Sequence, residues 1–200
     1  MKYVKAMFAL LLYFFIMLLV YVVHVQFFRV NVVLYSALWD CTLSAIATSL
    51  LVSAWSYFRL FSGFEKSLLA IVFLLSGFMF AFAVPTLIDR SLSFYILEKL
   101  QQRGGCIALQ RFPAVFTEEY LIEHHLMDIR LTEQMESGTV VIKDGYVRLT
   151  ERGHSLASFS RFFRKNLLPK QRLLMGKYTD VLTDPFRQSL PHPAERPTKR

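Results

Sequence analysis

The stretch SGTVVIKDGYVRLTERG, residues 137–153, has the pattern of a tight β-hairpin followed by the start of a helix. Asp144 and Gly145 are typical of a two-residue hairpin turn, because such a turn needs residues that tolerate a left-handed backbone. The turn predicts these cross-strand pairs: Val140 with Leu149, Val141 with Arg148, Ile142 with Val147, and Lys143 with Tyr146. Since side chains alternate along a strand, one face of the hairpin is then apolar and the other mostly polar.

Helical patterns flank this hairpin on both sides. Asp89 is a candidate N-cap of a first helix that ends at the glycine pair 104–105. Thr117 is a candidate N-cap of a second helix, because acidic residues follow it in the first turn. A third helix closes at Gly138, and Thr150 is placed to cap the helix after the hairpin.

Three helices, a hairpin ending in YVRLTERG and a further helix resemble the winged-helix fold, over about residues 90–165. The resemblance implies a small α+β domain. It does not imply a function, because some winged helices bind DNA and others bind only proteins.

The first 88 residues contain three apolar runs, each long enough to cross a hydrocarbon core of about 30 Å. These runs are residues 6–25, 39–58 and 67–88. The first run resembles a signal peptide, but its length and the lack of a small-residue cleavage site predict a retained anchor. We therefore expect a mostly α membrane protein: a three-helix transmembrane domain (1–88), a winged-helix-like domain (89–168) and a basic, partly disordered tail (169–200) that ends in the proline-containing stretch 191–200.

The orientation of the spans follows weakly from charge. The two sides of the membrane have equal numbers of basic residues, so we infer the orientation from the first span, which is flanked by positive charge. This predicts a cytoplasmic N-terminus and a C-terminal domain on the opposite side. Of the net charge of +8, residues 150–200 contribute +7, from 11 Lys and Arg against 4 acidic residues.

The second span carries small residues at four-residue spacing, a pattern that lets another helix approach closely. They are Ala37, Cys41, Ala45, Ser49 and Ser53. Two alternatives stay open: packing against the other spans of this chain, or docking to another membrane protein. Trp39 and Trp55 are spaced like the aromatic residues at the two membrane interfaces, so we expect Asp40 near a headgroup layer, as an interfacial carboxylate or a helix-packing partner and not as a proton relay.

The second and third helices of the winged-helix-like domain are acidic. Residues 117–137 contain six carboxylates, and Arg130 is their one Lys or Arg. The acidic residues are Glu118, Glu119, Glu123, Asp128, Glu133 and Glu136. Because neutralising phosphates supplies most of the affinity for DNA, we expect no DNA binding. The acidic residues either form a solvated face or dock a basic partner.

Two basic regions predict contact with lipid. Asp89 and Arg90 follow the third span, where they serve as cap and anchor or hold a lipid phosphate. Beyond residue 153 a basic amphipathic helix is expected to lie on the membrane, with Leu156 and Phe159 assigned to the domain core. Its basic residues, with those that follow, are Arg161, Arg164, Lys165, Lys170 and Arg172.

The sequence predicts no catalytic, cofactor or metal site and no small-molecule substrate. His124 and Asp128 have a spacing that could suit a metal, but no further ligand follows. We expect membrane lipids and another membrane protein as partners, and a non-catalytic accessory or scaffold subunit as the function. The alternatives are a membrane-tethered winged-helix transcription regulator and, more weakly, a protein that handles a lipid-linked phosphate.

Overall fold

The computed structural model describes residues 2–186 and is mostly helical, with two small antiparallel sheets. The chain divides into two compact units, Met1–Ile129 and Arg130–Arg200. The division falls inside α8 (Leu126–Glu136). The expected disorder of residues 191–200 concerns a segment outside the described residues.

Three helices of the first unit are long and apolar enough to cross a membrane, which confirms the predicted integral membrane protein. They are α1 (Lys2–Phe27), α2 (Val33–Ala54) and the span Gly63–Arg90, which comprises α3 (Gly63–Ala81), a π-helical segment (Phe82–Thr86) and α4 (Leu87–Arg90). The π-helical segment contains Pro85, whose ring and missing N–H disturb a regular α-helix. The wider π turn accommodates this residue and keeps the span helical.

A short 3₁₀ turn (Ser56–Phe58) joins the second span to the third. The third span begins with a capping box: the Ser62 hydroxyl accepts a bond from the Glu65 N–H at 3.3 Å, and the Glu65 carboxylate accepts one from the Ser62 N–H at 2.8 Å. Lys2 also binds Glu65, at 2.7 Å, and so joins the N-terminal ends of α1 and α3.

The three spans share one core. Tyr13 of α1 stacks on Phe73 of α3, with ring centroids 5.0 Å apart, and lies against Cys41 of α2. Gly77 of α3 is at the same level, and a Cβ atom there would overlap the Tyr13 hydroxyl and lie 2.8 Å from Cys41 Cβ. A Cβ atom at this position would therefore collide with side chains of both other spans, which favours glycine.

The first unit continues with α5 (Leu92–Gln102), whose N-cap is Ser91 and not Asp89. The Asp89 prediction was wrong because α4 still includes this residue, and the chain becomes extended only at Ser91. The predicted end at the glycine pair is confirmed, with Gly104 and Gly105 in left-handed conformations.

The next helical stretch starts earlier than expected. It contains a 3₁₀ turn (Leu109–Arg111), α6 (Phe112–Ala114), a π-helical segment (Val115–Tyr120) and α7 (Leu121–Glu123). Thr117 is therefore not an N-cap, since it lies inside the helix and its hydroxyl donates to the Pro113 carbonyl. Pro113 suits the first turn of a helix and explains the earlier start.

The second unit contains β1 (Val140–Lys143), β2 (Tyr146–Leu149), α9 (Glu151–Asn166), β3 (Arg172–Leu174), β4 (Lys177–Thr179) and a 3₁₀ turn (Val181–Thr183). All four predicted pairs of the β1–β2 hairpin are confirmed. Thr150 caps α9 by accepting a bond from the Gly153 N–H at 3.1 Å. The β3–β4 hairpin was not predicted.

Candidate functional sites

A buried ion pair joins the first two spans. His24 Nδ1 of α1 and Asp40 Oδ1 of α2 are 2.6 Å apart. Asp40 is 2% exposed and His24 is partly exposed. Asp40 lies seven residues after Val33, the first residue of α2, and therefore about 10 Å along that helix.

Asp40 takes the second of its two predicted roles, that of a helix-packing partner, because its carboxylate is buried in the bundle and bound to His24. Within residues 2–186, the second carboxylate oxygen of Asp40 is buried and has no hydrogen-bond partner. Tyr21 lies within electrostatic range of both Asp40 and Asp89. By the general rule for ionisable side chains inside a membrane bundle, this hydrogen-bonded pair is a candidate functional site.

The sequence analysis missed His24. The available signal was an ionisable residue near the end of the first apolar run and another near the start of the next. A short connection brings these two helix ends together. Such residues can therefore contact each other when they lie on the helix faces that are turned toward each other.

The small-residue stripe of α2 has two parts. Ala37, Cys41 and Ala45 are buried in the bundle of this chain. Ser49 is half-buried and Ser53 is exposed, and both line an open groove of about 300 Å³ beside α3. The first part therefore packs within the chain, and only the second part is left for another helix.

Two of the six acidic residues are neutralised inside the first unit. Lys99 of α5, which is 7% exposed, lies 2.8 Å from Glu119 and 2.7 Å from Glu123. Arg103 binds Glu119 at 2.5 Å, and Tyr95 donates to Glu123 at 3.0 Å. These bonds hold α5 against the following helical stretch.

The ion pairs shift the titration of their members. Hydrogen bonds that the Lys99 ammonium donates to Glu119 and Glu123 raise the pKa of Lys99 above its usual range. The Lys99 ammonium lowers the pKa of Glu119, with a further contribution from Arg103. Lys99 and Tyr95 together lower the pKa of Glu123. All these shifts favour the charged forms.

The other acidic residues do not join this cluster. Glu118 is exposed, and Asp128 lies 3.6 Å from His125. In the second unit Glu133 binds Arg130 at 2.6 Å, and Glu136 is exposed. The six carboxylates are thus divided between two units, and three of them bind a Lys or Arg of the chain.

The predicted lipid-binding residues also fall in both units. Asp89 is exposed and Arg90 is half-buried, both in α4. Arg161, Arg164 and Lys165 lie on α9. Lys170 precedes β3 and Arg172 begins it.

The apolar side chains of α9 are exposed, which corrects the assignment of Leu156 and Phe159 to a core. Leu156 is 58% and Phe159 62% exposed. Gly153, in the first turn of α9, is buried against Thr139 and Leu149, whereas Ala157, one turn later, is exposed. The hairpin therefore contacts α9 near Gly153 and leaves the aromatic side chains of α9 uncovered.

Among residues 2–186 no group of three or more His, Cys, Asp or Glu side chains is placed to hold a metal ion. His124 instead packs on the rings of Tyr95 and Tyr120, with centroids 5.1 and 5.0 Å away. Cys41 is buried and Cys106 is exposed, and both are free thiols.

Comparisons with known proteins find no matching family model, curated protein or solved structure.

Proposed function

We propose that this chain is a non-catalytic accessory or scaffold subunit of a membrane assembly, and that its membrane-proximal, winged-helix-like part binds another protein. The observation that carries the proposal is the uncovered apolar face of the β1–β2 hairpin. Ile142 is 48%, Val147 51% and Leu149 49% exposed.

A two-stranded hairpin is marginally stable in water, and it normally gains stability by covering an apolar face. Here α9 covers only the end of the hairpin, where Gly153 contacts Leu149. Contiguous exposed apolar surface is a common mark of an interaction site. A protein partner with an apolar surface would complete the burial that this hairpin lacks.

The expected likeness to a winged helix concerns the position of the β1–β2 hairpin in the fold, not its function. The order of elements agrees with it: α5, the helical stretch 112–123, α8, β1–β2 and then α9. In this likeness β1–β2 is the wing, a part of the fold that is free to contact a partner. The likeness concerns the order of elements and carries no function with it.

DNA regulation is the weaker alternative. Arg130 is the one basic residue in the acidic stretch 117–137, and it binds Glu133 at 2.6 Å. Its charge is therefore neutralised within the chain, and the surrounding carboxylates repel phosphate. The handling of a lipid-linked phosphate rests on Arg90 alone, without a nucleophile or carboxylate pair to act with it.

The test is co-purification of the full-length chain from gently solubilised native membranes. Val147→Asp places a charge on the apolar face, and Val141→Asp places the same charge on the opposite face of the hairpin, where Val141 is 46% exposed. A protein that accompanies the wild type and Val141→Asp, but not Val147→Asp, supports the proposal. Equal recovery of every associated protein with both variants contradicts it.

A further inference from the structure

The β3–β4 hairpin is a second small sheet with an unusual tip. Its pairs are Arg172 with Thr179, Leu173 with Tyr178, and Leu174 with Lys177. The turn residues between the strands are Met175 and Gly176, both in left-handed conformations with φ of 48° and 86°.

The apolar side chains of this hairpin are directed away from the protein. Met175 is 86%, Tyr178 72% and Leu173 57% exposed, and Leu174 is 43% exposed. Four apolar residues within six positions form an exposed cluster at one end of the hairpin. Such a cluster indicates a binding surface more often than an ordinary turn does.

The left-handed backbone of this turn is energetically unfavourable for Met175. A side chain such as Met is uncommon at positive φ, and Asn, Asp or Gly normally fills the position. The β1–β2 hairpin of the same unit follows this rule, with Asp144 at φ 54°. The β3–β4 hairpin instead places an apolar side chain at its tip despite the strain, and strain of this kind is often kept for a function.

Basic residues lie along the hairpin and at its base. Lys170, Arg172 and Lys177 are exposed, and Arg172 and Lys177 belong to the hairpin itself. Two contacts hold the base: Thr183 donates to the Lys170 carbonyl at 3.1 Å, and Asp184 binds Lys165 of α9 at 2.8 Å. The apolar tip is thus presented on an anchored base with positive charge beside it.

We propose that the β3–β4 hairpin is a membrane-inserting loop, whose tip enters the interfacial layer of a bilayer that contains anionic lipid. Apolar and aromatic side chains are favoured in that layer, and basic residues beside them are attracted to anionic headgroups. The chain also has three helices long and apolar enough to cross a membrane, which would keep a bilayer within tethered reach of the hairpin. The basic residues of the hairpin and its tethering near a bilayer together indicate that the apolar tip binds lipid.

The test uses the full-length protein in liposomes, with the exposed native thiol removed by Cys106→Ser. An environment-sensitive fluorophore is attached at Met175→Cys, and in a second protein at Asp144→Cys, the equivalent turn position of the β1–β2 hairpin. Liposomes contain phosphatidylcholine alone or with phosphatidylserine in both leaflets, so either orientation of the protein meets the same lipid. Normal insertion and circular dichroism are required of both proteins.

The proposal expects the Met175 probe to shift to shorter wavelength in phosphatidylserine liposomes and to be quenched by a lipid-borne quencher. The Asp144 probe should stay in water in both kinds of liposome. Replacing Lys170, Arg172 and Lys177 with Gln should reduce the Met175 shift in phosphatidylserine to the level seen in phosphatidylcholine. A Met175 probe that stays in water in both lipids overturns the proposal, as does a shift that the three Gln substitutions leave unchanged.

Discussion

Gly77 of the third span lies against side chains of both other spans, and it gives the sharpest stability prediction. Gly77→Ala adds a Cβ atom against Tyr13 and Cys41, both of which are fully or almost fully buried. We expect a loss of about 1–3 kcal/mol in the free energy of unfolding, the usual cost of overfilling a packed core. The measurement is denaturant unfolding of the detergent-solubilised protein, followed by tryptophan fluorescence.

Gly63→Ala is the matched control for Gly77, because it lies at the start of the same span and a Cβ atom there has no neighbour within 4 Å among the described residues. Gly63→Ala should unfold like the wild type. Equal stability of the two variants would show that the spans do not pack as described.

The His24–Asp40 pair predicts a non-additive effect. His24→Leu leaves a buried carboxyl group without its hydrogen-bond partner, and we expect it to cost about 1–3 kcal/mol. The double variant His24→Leu with Asp40→Val removes both polar side chains and should be more stable than His24→Leu alone. Unfolding of the single and double variants in the same detergent measures this coupling, and simple additivity would mean that the pair contributes no interaction.

The contact between His24 and Asp40 could not be predicted from the sequence. Their contact depends on the relative rotation of α1 and α2, which neither residue determines locally. The tryptophan positions also suggested a span beginning near Trp39, whereas α2 begins at Val33. Asp40 therefore lies about two turns after the first residue of α2 and is buried in the bundle.

At the scale of elements, the Lys99 cluster predicts how the attachment of α5 depends on pH. Glu119 and Glu123 have lowered pKa values, so their contribution to stability is present above the unfolded-state value of about 4.3 and is lost as the pH falls below it. Lys99 has a raised pKa, so its contribution is present below about pH 10.4 and is lost as the pH rises through the folded-state value. Stability should therefore be nearly constant around neutral pH and should fall on acidification.

Lys99→Met tests this pH dependence. The variant should be less stable than the wild type at neutral pH, and the difference should shrink on acidification below about pH 4, where protonated carboxyl groups no longer favour Lys99. Hydrogen exchange of the α5 amides, Leu92–Gln102, reports the effect locally. Lys143→Met, at an exposed position of β1, is the control. A constant difference at every pH would rule out the ion pairs as its cause.

The α9 helix predicts binding to an anionic membrane surface. A peptide of residues 151–168 should gain helicity on vesicles that contain phosphatidylserine, and salt should release it, since each basic residue contributes about 1 kcal/mol. Replacing Phe159 and Phe163 with Ser should weaken binding by about 1.5 kcal/mol or more for each ring that is fully buried. Circular dichroism and vesicle co-sedimentation measure both effects. An unstructured, unbound wild-type peptide at low salt would assign this face to a protein contact.

The two hairpins show which elements could be predicted from the sequence. The β1–β2 hairpin was predicted with its register because Asp144-Gly145 fixes the turn and alternation fixes the faces. The β3–β4 hairpin was missed because Met175-Gly176 lacks that signature and its strands are three residues each. Thr117 was misassigned because its side chain can bond within a helix as well as cap one.

At the scale of the whole molecule, the three spans follow from composition alone, because only helices of that length and apolarity satisfy their backbone inside a membrane. The proposed function depends on surfaces that the chain leaves uncovered, and burial is a tertiary property that composition does not reveal. The exposed face of β1–β2 therefore became visible only in the folded chain.

The central claim is that this apolar face binds a protein, and photo-cross-linking in native membranes tests it most directly. A photoreactive amino acid replaces Ile142 on the apolar face, or Val141 on the opposite face, in otherwise wild-type full-length protein. The two positions are adjacent and similarly exposed, at 48% and 46%. The account predicts one discrete protein adduct from position 142 and none from position 141. Adducts of equal yield from both positions, or from neither, would contradict it.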